Sequence, residues 1–242
     1  MFDHVTLRTA DLAATARAYR PLLATLGAEP DCDADWLIEW QDFGFSPADA
    51  EHPVTTGVHV GLLAANAEAI AAFWQTGLAN GLADDGPPGP RSHYGDGYVG
   101  GFLRDLDGNS IEACRHPSSV DGRLVDHVWL RVGDVAASRA FYAAVAEWTG
   151  FAPVVERPDY ARFRGPGASF SVVAGEPVSA GLHMAFPADT DDAVHGFHAA
   201  ALAAGGADHG GPGERPEYHP GYYGAFALDP DGHNVEVVNH HR

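Results

Sequence analysis

Residues 3–9, DHVTLRT, return at 126–132 as DHVWLRV, 123 positions later. The segments behind them return as well: DLAATARAYRPLLATLG at 11–27 becomes DVAASRAFYAAVAEWTG at 134–150. TGVHVGL at 56–62 corresponds to AGLHMAF at 180–186, and GYVGGFLRDLDGNSIEACRH at 97–116 to GYYGAFALDPDGHNVEVVNH at 221–240, both now 124 apart. Solenoid repeats recur every 20–50 residues or so, less than half of this period, so a whole domain has been copied once. The join falls in HPSSVDGR at 116–123, a polar stretch rich in turn formers. The chain therefore reads as two modules, 1–117 and 124–242, joined by a linker at 118–123.

Each copy reads as strand–helix–strands, twice over. Residues 2–8 alternate, with Asp3, Val5 and Leu7 on one face and His4, Thr6 and Arg8 on the other. Asp11 is placed to cap an Ala-rich helix running to about Leu26, where Gly27 supplies the stop. Residues 36–45 read as one aromatic strand and 58–63 as a short apolar one; Asn66 caps a second helix ending between Gly77 and Gly81. A Gly/Pro loop follows. The copy closes on a hairpin of 98–103 and 110–114 around Asp107-Gly108-Asn109, a turn that requires positive φ. Asp229-Pro230-Asp231-Gly232 is the matching turn of the second copy.

Composition narrows the partners. The 242 residues hold 14 Lys+Arg against 33 Asp+Glu, a net charge of −19. Such a surface repels phosphate backbones and anionic headgroups, so neither nucleic acid nor a membrane is an expected partner. With 45% hydrophobic and 19% charged residues the chain is globular rather than disordered. The 29 Gly and 17 Pro point to many turns between short elements. Cys32 and Cys114 are too few for a disulfide framework. No run approaches the roughly 18 apolar residues of a membrane span. Met1-Phe2-Asp3-His4 lacks the basic and apolar parts of a signal peptide. These features predict a cytoplasmic monomer or homodimer that acts on a small-molecule substrate.

Strand periodicity also orients the metal-ligand types. His4, His59 between Val58 and Val60, and Glu112 between Ile111 and Ala113 all point away from apolar faces. His127, His183 and Glu236 do the same in the second copy. A lone histidine on a strand most often packs or faces solvent, whereas here all three ligand types recur. Two imidazoles and one carboxylate form a facial triad with open positions, which suits Fe2+ or Mn2+, with Zn2+ or Ni2+ as alternatives. A closed structural zinc site wants four ligands, usually including Cys. The spacing allows two groupings: a triad within each copy, or exchanged halves in which His4 joins His183 and Glu236.

DHVTLRTADLAAT, AFY at 140–142, GLHMAF and YHPGYYGAFALDPDGHNVEVV resemble the vicinal oxygen chelate superfamily, which includes glyoxalase I, bleomycin-resistance proteins and extradiol dioxygenases. The resemblance covers nearly the whole chain and is stronger in the second copy. It implies an α+β fold of two tandem glyoxalase/bleomycin-resistance-type modules, each a pair of βαβββ units forming a cup-shaped, eight-stranded mixed sheet. It places metal ligands on the first, fifth and last strands, which by motif are His4, His59, Glu112, His127, His183 and Glu236. It implies a divalent ion that chelates two adjacent oxygens of a substrate, but not the reaction, because one fold hosts several.

Glyoxalase-type members add an acid as fourth ligand. Glu39 lies in that region of the first copy, but Arg162-Phe163-Arg164 offers no acid in the second, and Glu51 and Glu176 sit in turns. A triad without a fourth ligand resembles the extradiol dioxygenases most. The alternatives are a glyoxalase- or epimerase-like lyase or isomerase, and a bleomycin-resistance-like binding protein without catalysis. In the dioxygenase reading a His or Tyr handles protons; Tyr218, His219 and Tyr222 are the leading candidates, with Tyr223 beside them and His93, Tyr94 and Tyr98 in the first copy. His195 and His198 fall on a helix face expected to be solvated. His240, on the strand face of Glu236, is placed to stand behind the ligands, with His116 as its counterpart. Gly95 occupies the place of His219, which points to an altered site in the first copy. In so acidic a chain, an anionic substrate would rely on the metal and on local groups such as Arg8, Arg131 or Arg215.

Overall fold

Asp11 accepts a hydrogen bond from the Ala14 backbone N–H and opens α1 (Leu12–Ala24), and Asn66 does the same for Ala69 at the start of α2 (Ala67–Ala79). The structure, a computed structural model, describes residues 1–241. Around these helices the first repeat runs β1 (His4–Thr9), β2 (Cys32–Asp33), β3 (Ile38–Trp40), β4 (Phe43–Pro47), β5 (His59–Leu63), β6 (Ala83–Pro90), β7 (Val99–Arg104) and β8 (Ser110–Arg115). The second repeat matches it with β9 (Val125–Val132), α3 (Val135–Ala144), the short α4 (Ala146–Thr149), β10 (Ala152–Arg157), β11 (Tyr160–Arg164) and β12 (Ser169–Ala174). It continues with β13 (Leu182–Pro187), α5 (Asp191–Ala203), β14 (Ala207–Glu214), β15 (Tyr223–Leu228) and β16 (Asn234–Asn239). Asp134 and Thr190 cap α3 and α5 through their side chains. Among the described residues no helix is long and apolar enough to cross a membrane.

Two eight-stranded mixed sheets result, with orders β14-β15-β16-β13-β1-β4-β3-β2 and β10-β11-β12-β9-β5-β8-β7-β6. Each sheet takes one βαβββ half from each repeat, so the halves are exchanged. By compactness the chain falls into two units, one made of Met1–Val5 and the chain from Trp129 onward, the other of Thr6–Val128.

Each unit has its own aromatic core. In the first, Phe2, Phe151 and Phe186 lie with ring centroids 4.9–5.5 Å apart, and the buried Tyr142 hydroxyl donates to Asp229 Oδ2 at 2.8 Å. In the second, Tyr19 packs on Phe45 at 4.4 Å and its hydroxyl reaches Asp105 Oδ2 at 3.4 Å. Both aspartates open the predicted hairpin turns, whose Gly108 and Gly232 have φ of 87° and 86°.

Two expectations for the first repeat are corrected. The single strand expected over 36–45 is β3 and β4, a hairpin pairing Ile38 with Phe45 and Trp40 with Phe43. Gln41, at φ 54°, turns the chain, and Trp36 lies outside, 51% exposed. The Gly/Pro loop expected after α2 is strand β6, and β14 is its counterpart. Both are the last strand of their sheet and pair on one side only, where Pro and Gly are tolerated; register breaks at Gly86 and Gly210 absorb the misfit.

Candidate metal centres

The strand orders decide which ligands meet. In the first unit Asp3 donates its N–H to the Ala185 carbonyl at 2.8 Å, holding the start of β1 beside β13, and β13 pairs in parallel with β16. His4, His183 and Glu236 therefore lie on three neighbouring strands. His4 Nε2 is 2.9 Å from His183 Nε2 and 3.6 Å from Glu236 Oε2, and His183 Nε2 is 3.1 Å from the same oxygen. In the second unit β5 lies between β8 and β9. His59 Nε2 is 3.1 Å from His127 Nε2 and 3.3 Å from Glu112 Oε2, and His127 Nε2 is 3.5 Å from that oxygen. Of the two groupings the spacing allowed, the structure has the exchanged one.

Both carboxylates are 1% exposed, and among the described residues no arginine pairs with them; the histidines are their basic neighbours. Burial alone would raise the Glu112 carboxyl, yet hydrogen bonds from His127 and His59 outweigh it and hold it low. Burial lowers His59 toward its neutral, ligating form. For His127 burial is outweighed by Asp126, Cys114 and Glu112, which raise it.

Behind the candidate ligands stand groups that fix their tautomers. His4 donates Nδ1–H to Asp3 Oδ1 at 2.9 Å and His127 donates Nδ1–H to Asp126 Oδ2 at 2.8 Å, which directs each Nε2 lone pair into its group. Burial would raise Asp3 and Asp126, but the hydrogen bonds from His240 and His4, and from His116 and His127, hold both carboxyls well below the usual range. His59 Nδ1 meets Ser110 Oγ at 3.0 Å, and that hydroxyl donates to Asp85 Oδ2 at 2.9 Å.

These donor sets fit a divalent ion. Ligand atoms about 2.1 Å from one metal and at right angles or tetrahedral angles lie roughly 3.0–3.4 Å apart, close to the 2.9–3.6 Å spread of the first group. Glu112 Oε1 is buried with no hydrogen bond of full geometry, the Tyr98 phenol being the other polar group close to this carboxylate, and a cation would relieve such burial. Glycines make the room: a Cβ on Gly100 would stand 2.1 Å from Glu112 Oε1, one on Gly61 2.2 Å from His127 Cε1, and one on Gly224 2.8 Å from Glu236 Oε1.

The residues singled out for proton handling occupy different layers. Tyr222 is buried and donates to Glu236 Oε1 at 2.5 Å. Burial and that neighbouring carboxylate push its phenol far up, so it stays protonated. His219 touches neither ligand histidine and bonds instead to His240 at 2.9 Å. Tyr218 is half exposed, with its ring 4.9 Å from Tyr222. Tyr98, in the place of Tyr222, stacks on His116 at 5.5 Å, and His93 and Tyr94 pair with each other. His195 bonds the Tyr223 hydroxyl and His198 bonds Asp208, both away from the groups. Glu39 belongs to neither group, whereas Cys114 and Asp126 join His127 in a third cluster of ligand types. The reading by residue type missed Asp3 and Asp126; their signal was the Asp-His pair that opens each repeat.

Residues 124–237 match the family model of the Glyoxalase/Bleomycin resistance protein/Dioxygenase superfamily, and this second repeat is a domain of that superfamily. The fold of the whole chain is that of glyoxalase I from Zea mays, with a TM-score of 0.70 over 99% of this chain and 92% of that one, at 18% identity. A putative dioxygenase from Bacillus subtilis subsp. subtilis str. 168 shares it with a TM-score of 0.63, covering 98% of this chain and 84% of that one, at 12% identity. No curated protein matches the chain.

Proposed function

We propose that the chain is a metal-dependent enzyme acting on a small oxygenated substrate, with one His-His-Glu centre in each unit and extradiol-type dioxygenase chemistry. The observation that carries it is the convergence of two imidazole Nε2 atoms and one carboxylate oxygen, twice, with three ligand-type residues in each group among the described residues. His4, His183 and Glu236 would hold one Fe2+ or Mn2+, and His59, Glu112 and His127 the other. The ion supplies Lewis acidity and open positions for a chelating oxygen pair.

The chain's own residues do the rest. Asp3 and Asp126 keep His4 and His127 in the tautomer whose Nε2 accepts a cation. Tyr222 turns Glu236 so that Oε1 is spent on the phenol and Oε2 faces the histidines. Its raised phenol keeps Tyr222 protonated, a donor to Glu236 rather than a base. Tyr218 and His219, on the loop before β15, are placed to contact a substrate on the solvent side. A net charge of −19 favours neither nucleic acid nor anionic lipid as partner, and two free thiols fit a reducing compartment.

Elemental analysis and oxygen uptake test this directly. Protein purified without added metal is expected to carry Fe or Mn and to consume oxygen with a panel of catechols. Bound metal without oxygen uptake would favour a lyase or isomerase. Failure to take up Fe, Mn, Zn or Ni at neutral pH would exclude both kinds of enzyme and leave a binding protein.

A further inference from the structure

The hairpin of β11 and β12 has a core face and a polar face. Phe163 pairs with Phe170 on the core face, where Tyr142 packs on both, with ring centroids at 5.6 and 4.7 Å. On the other face Arg162 stands opposite Ser171, Tyr160 opposite Val173 and Arg164 opposite Ser169. Trp129, on β9, brings its ring to 5.5 Å from Tyr160. All of these residues belong to the unit that runs from Trp129 onward.

The polar face is rich in hydrogen-bond donors. Arg162 Nη2 donates to Ser169 Oγ at 2.9 Å, which leaves the Ser169 hydroxyl hydrogen free to donate in turn. Tyr160 and Ser171 join their hydroxyls at 3.1 Å; one hydrogen makes that bond and the other is left over. Arg162 Nε–H is buried with no partner at all. Ser169 and Ser171 are buried too, and unmet donors at such depth are costly.

No carboxylate of the chain answers this face. Among the described residues the arginine–carboxylate pairs are Arg20–Asp33, Arg104–Asp85, Arg115–Asp121 and Arg139–Glu156, so Arg157, Arg162 and Arg164 have none. Glu156 is in register with Ala161 and therefore lies on the opposite face, where Arg139 reaches it at 3.5 Å. Three unpaired arginines on two adjacent strands are a local reversal of charge in a chain of net −19. The fold does not require them. In the first repeat, 123 positions earlier, Thr6, Leu37, Glu39 and Gln41 stand in the places of Trp129, Tyr160, Arg162 and Arg164, and the hairpin forms all the same.

We propose that this face of β9, β11 and β12 binds the carboxylate of a small aromatic acid. Arg162 takes the carboxylate, with hydroxyl hydrogens from Ser169 and from the Tyr160–Ser171 pair beside it. Trp129 and Tyr160, both partly exposed, supply surface for the ring. None of the candidate metal ligands takes part, so the site stands apart from the proposed function.

Benzoate, titrated into the full chain as purified, tests it. In nitrogen-15 correlation spectra the Arg162 Nε–H and Trp129 indole signals should shift together and saturate. Benzamide, which keeps the shape and lacks the charge, should bind roughly 10–100-fold more weakly, the worth of a charged hydrogen bond. Acetate, which lacks the ring, should also bind more weakly than benzoate. Arg162→Met, which keeps the stem on a face away from the aromatic core, should weaken benzoate by about the same 10–100-fold. Arg162 and Trp129 signals that do not respond, benzamide or acetate binding as tightly as benzoate, or undiminished benzoate affinity in the variant would each overturn the site. The first three readings use the unmodified protein, so the outcome does not hang on the variant folding.

Discussion

Asp105 shows how far a single environment can reverse a residue's habit. It is buried beneath Tyr19, and that burial, with Asp107 close by, pushes its carboxyl up to about 6 from 3.8 even though the Asn109 and Asp107 N–H groups favour the ion. The folded chain thus prefers the protonated acid. Stability from this group is present below about pH 4 and is lost as pH rises to about 6. The gap corresponds to about 3 kcal/mol. Asp105→Asn, which cannot ionise, should gain on the unmodified protein by up to that amount between pH 4 and 7 in urea midpoints; a difference that does not change with pH would contradict it. Little of this was readable beforehand. Strand period placed His4, His59 and Glu112 on the correct faces because alternation is a property of the local backbone. The depth of Glu112 and the thiol of Cys114 beside His127 depend on strands far away in sequence, which no single segment reports, whereas Asp3 and Asp126 stand next to the histidines they hold.

At the scale of elements, caps and turns were the most readable features, since Asp11, Asn66, Gly108 and Gly232 act through their own few neighbours. Replacing Asp11 by Ala should cost about 1 kcal/mol in unfolding free energy, the usual loss for an N-cap; no change would show that the Ala14 N–H finds another partner. The edge strands β6 and β14 were misread because their composition, ADDGPPGP and ADHGGPGE, is that of a loop, and only a place at the end of a sheet makes it acceptable as strand. Gly100 on β7 carries a sharper consequence. A methyl there would stand 2.1 Å from Glu112 Oε1, so Gly100→Ala should displace the carboxylate and cost roughly 1–3 kcal/mol as an overpacked site. Metal analysis should find the His59 centre weakened and the His4 centre intact; full occupancy of both would show that Glu112 moves aside freely.

For the whole molecule, the duplication was plain from a period near 124, and the eight-stranded sheets followed from the resemblance it carried. The exchange of halves was not readable, because both copies supply the same ligand types and either grouping satisfies the spacing. Strand order settles it: β1 lies beside β13, and β9 beside β5. The consequence is two candidate metal-binding groups, each drawing one histidine from one repeat and a histidine and a glutamate from the other. Counting metal ions per chain tests this most directly, using the unmodified protein, Glu236→Gln, Glu112→Gln and the double variant, each loaded with Mn2+ and freed of excess. Two ions are expected in the first, one in each single variant and none in the double. No ion in the unmodified protein, or two ions retained in either single variant, would contradict it.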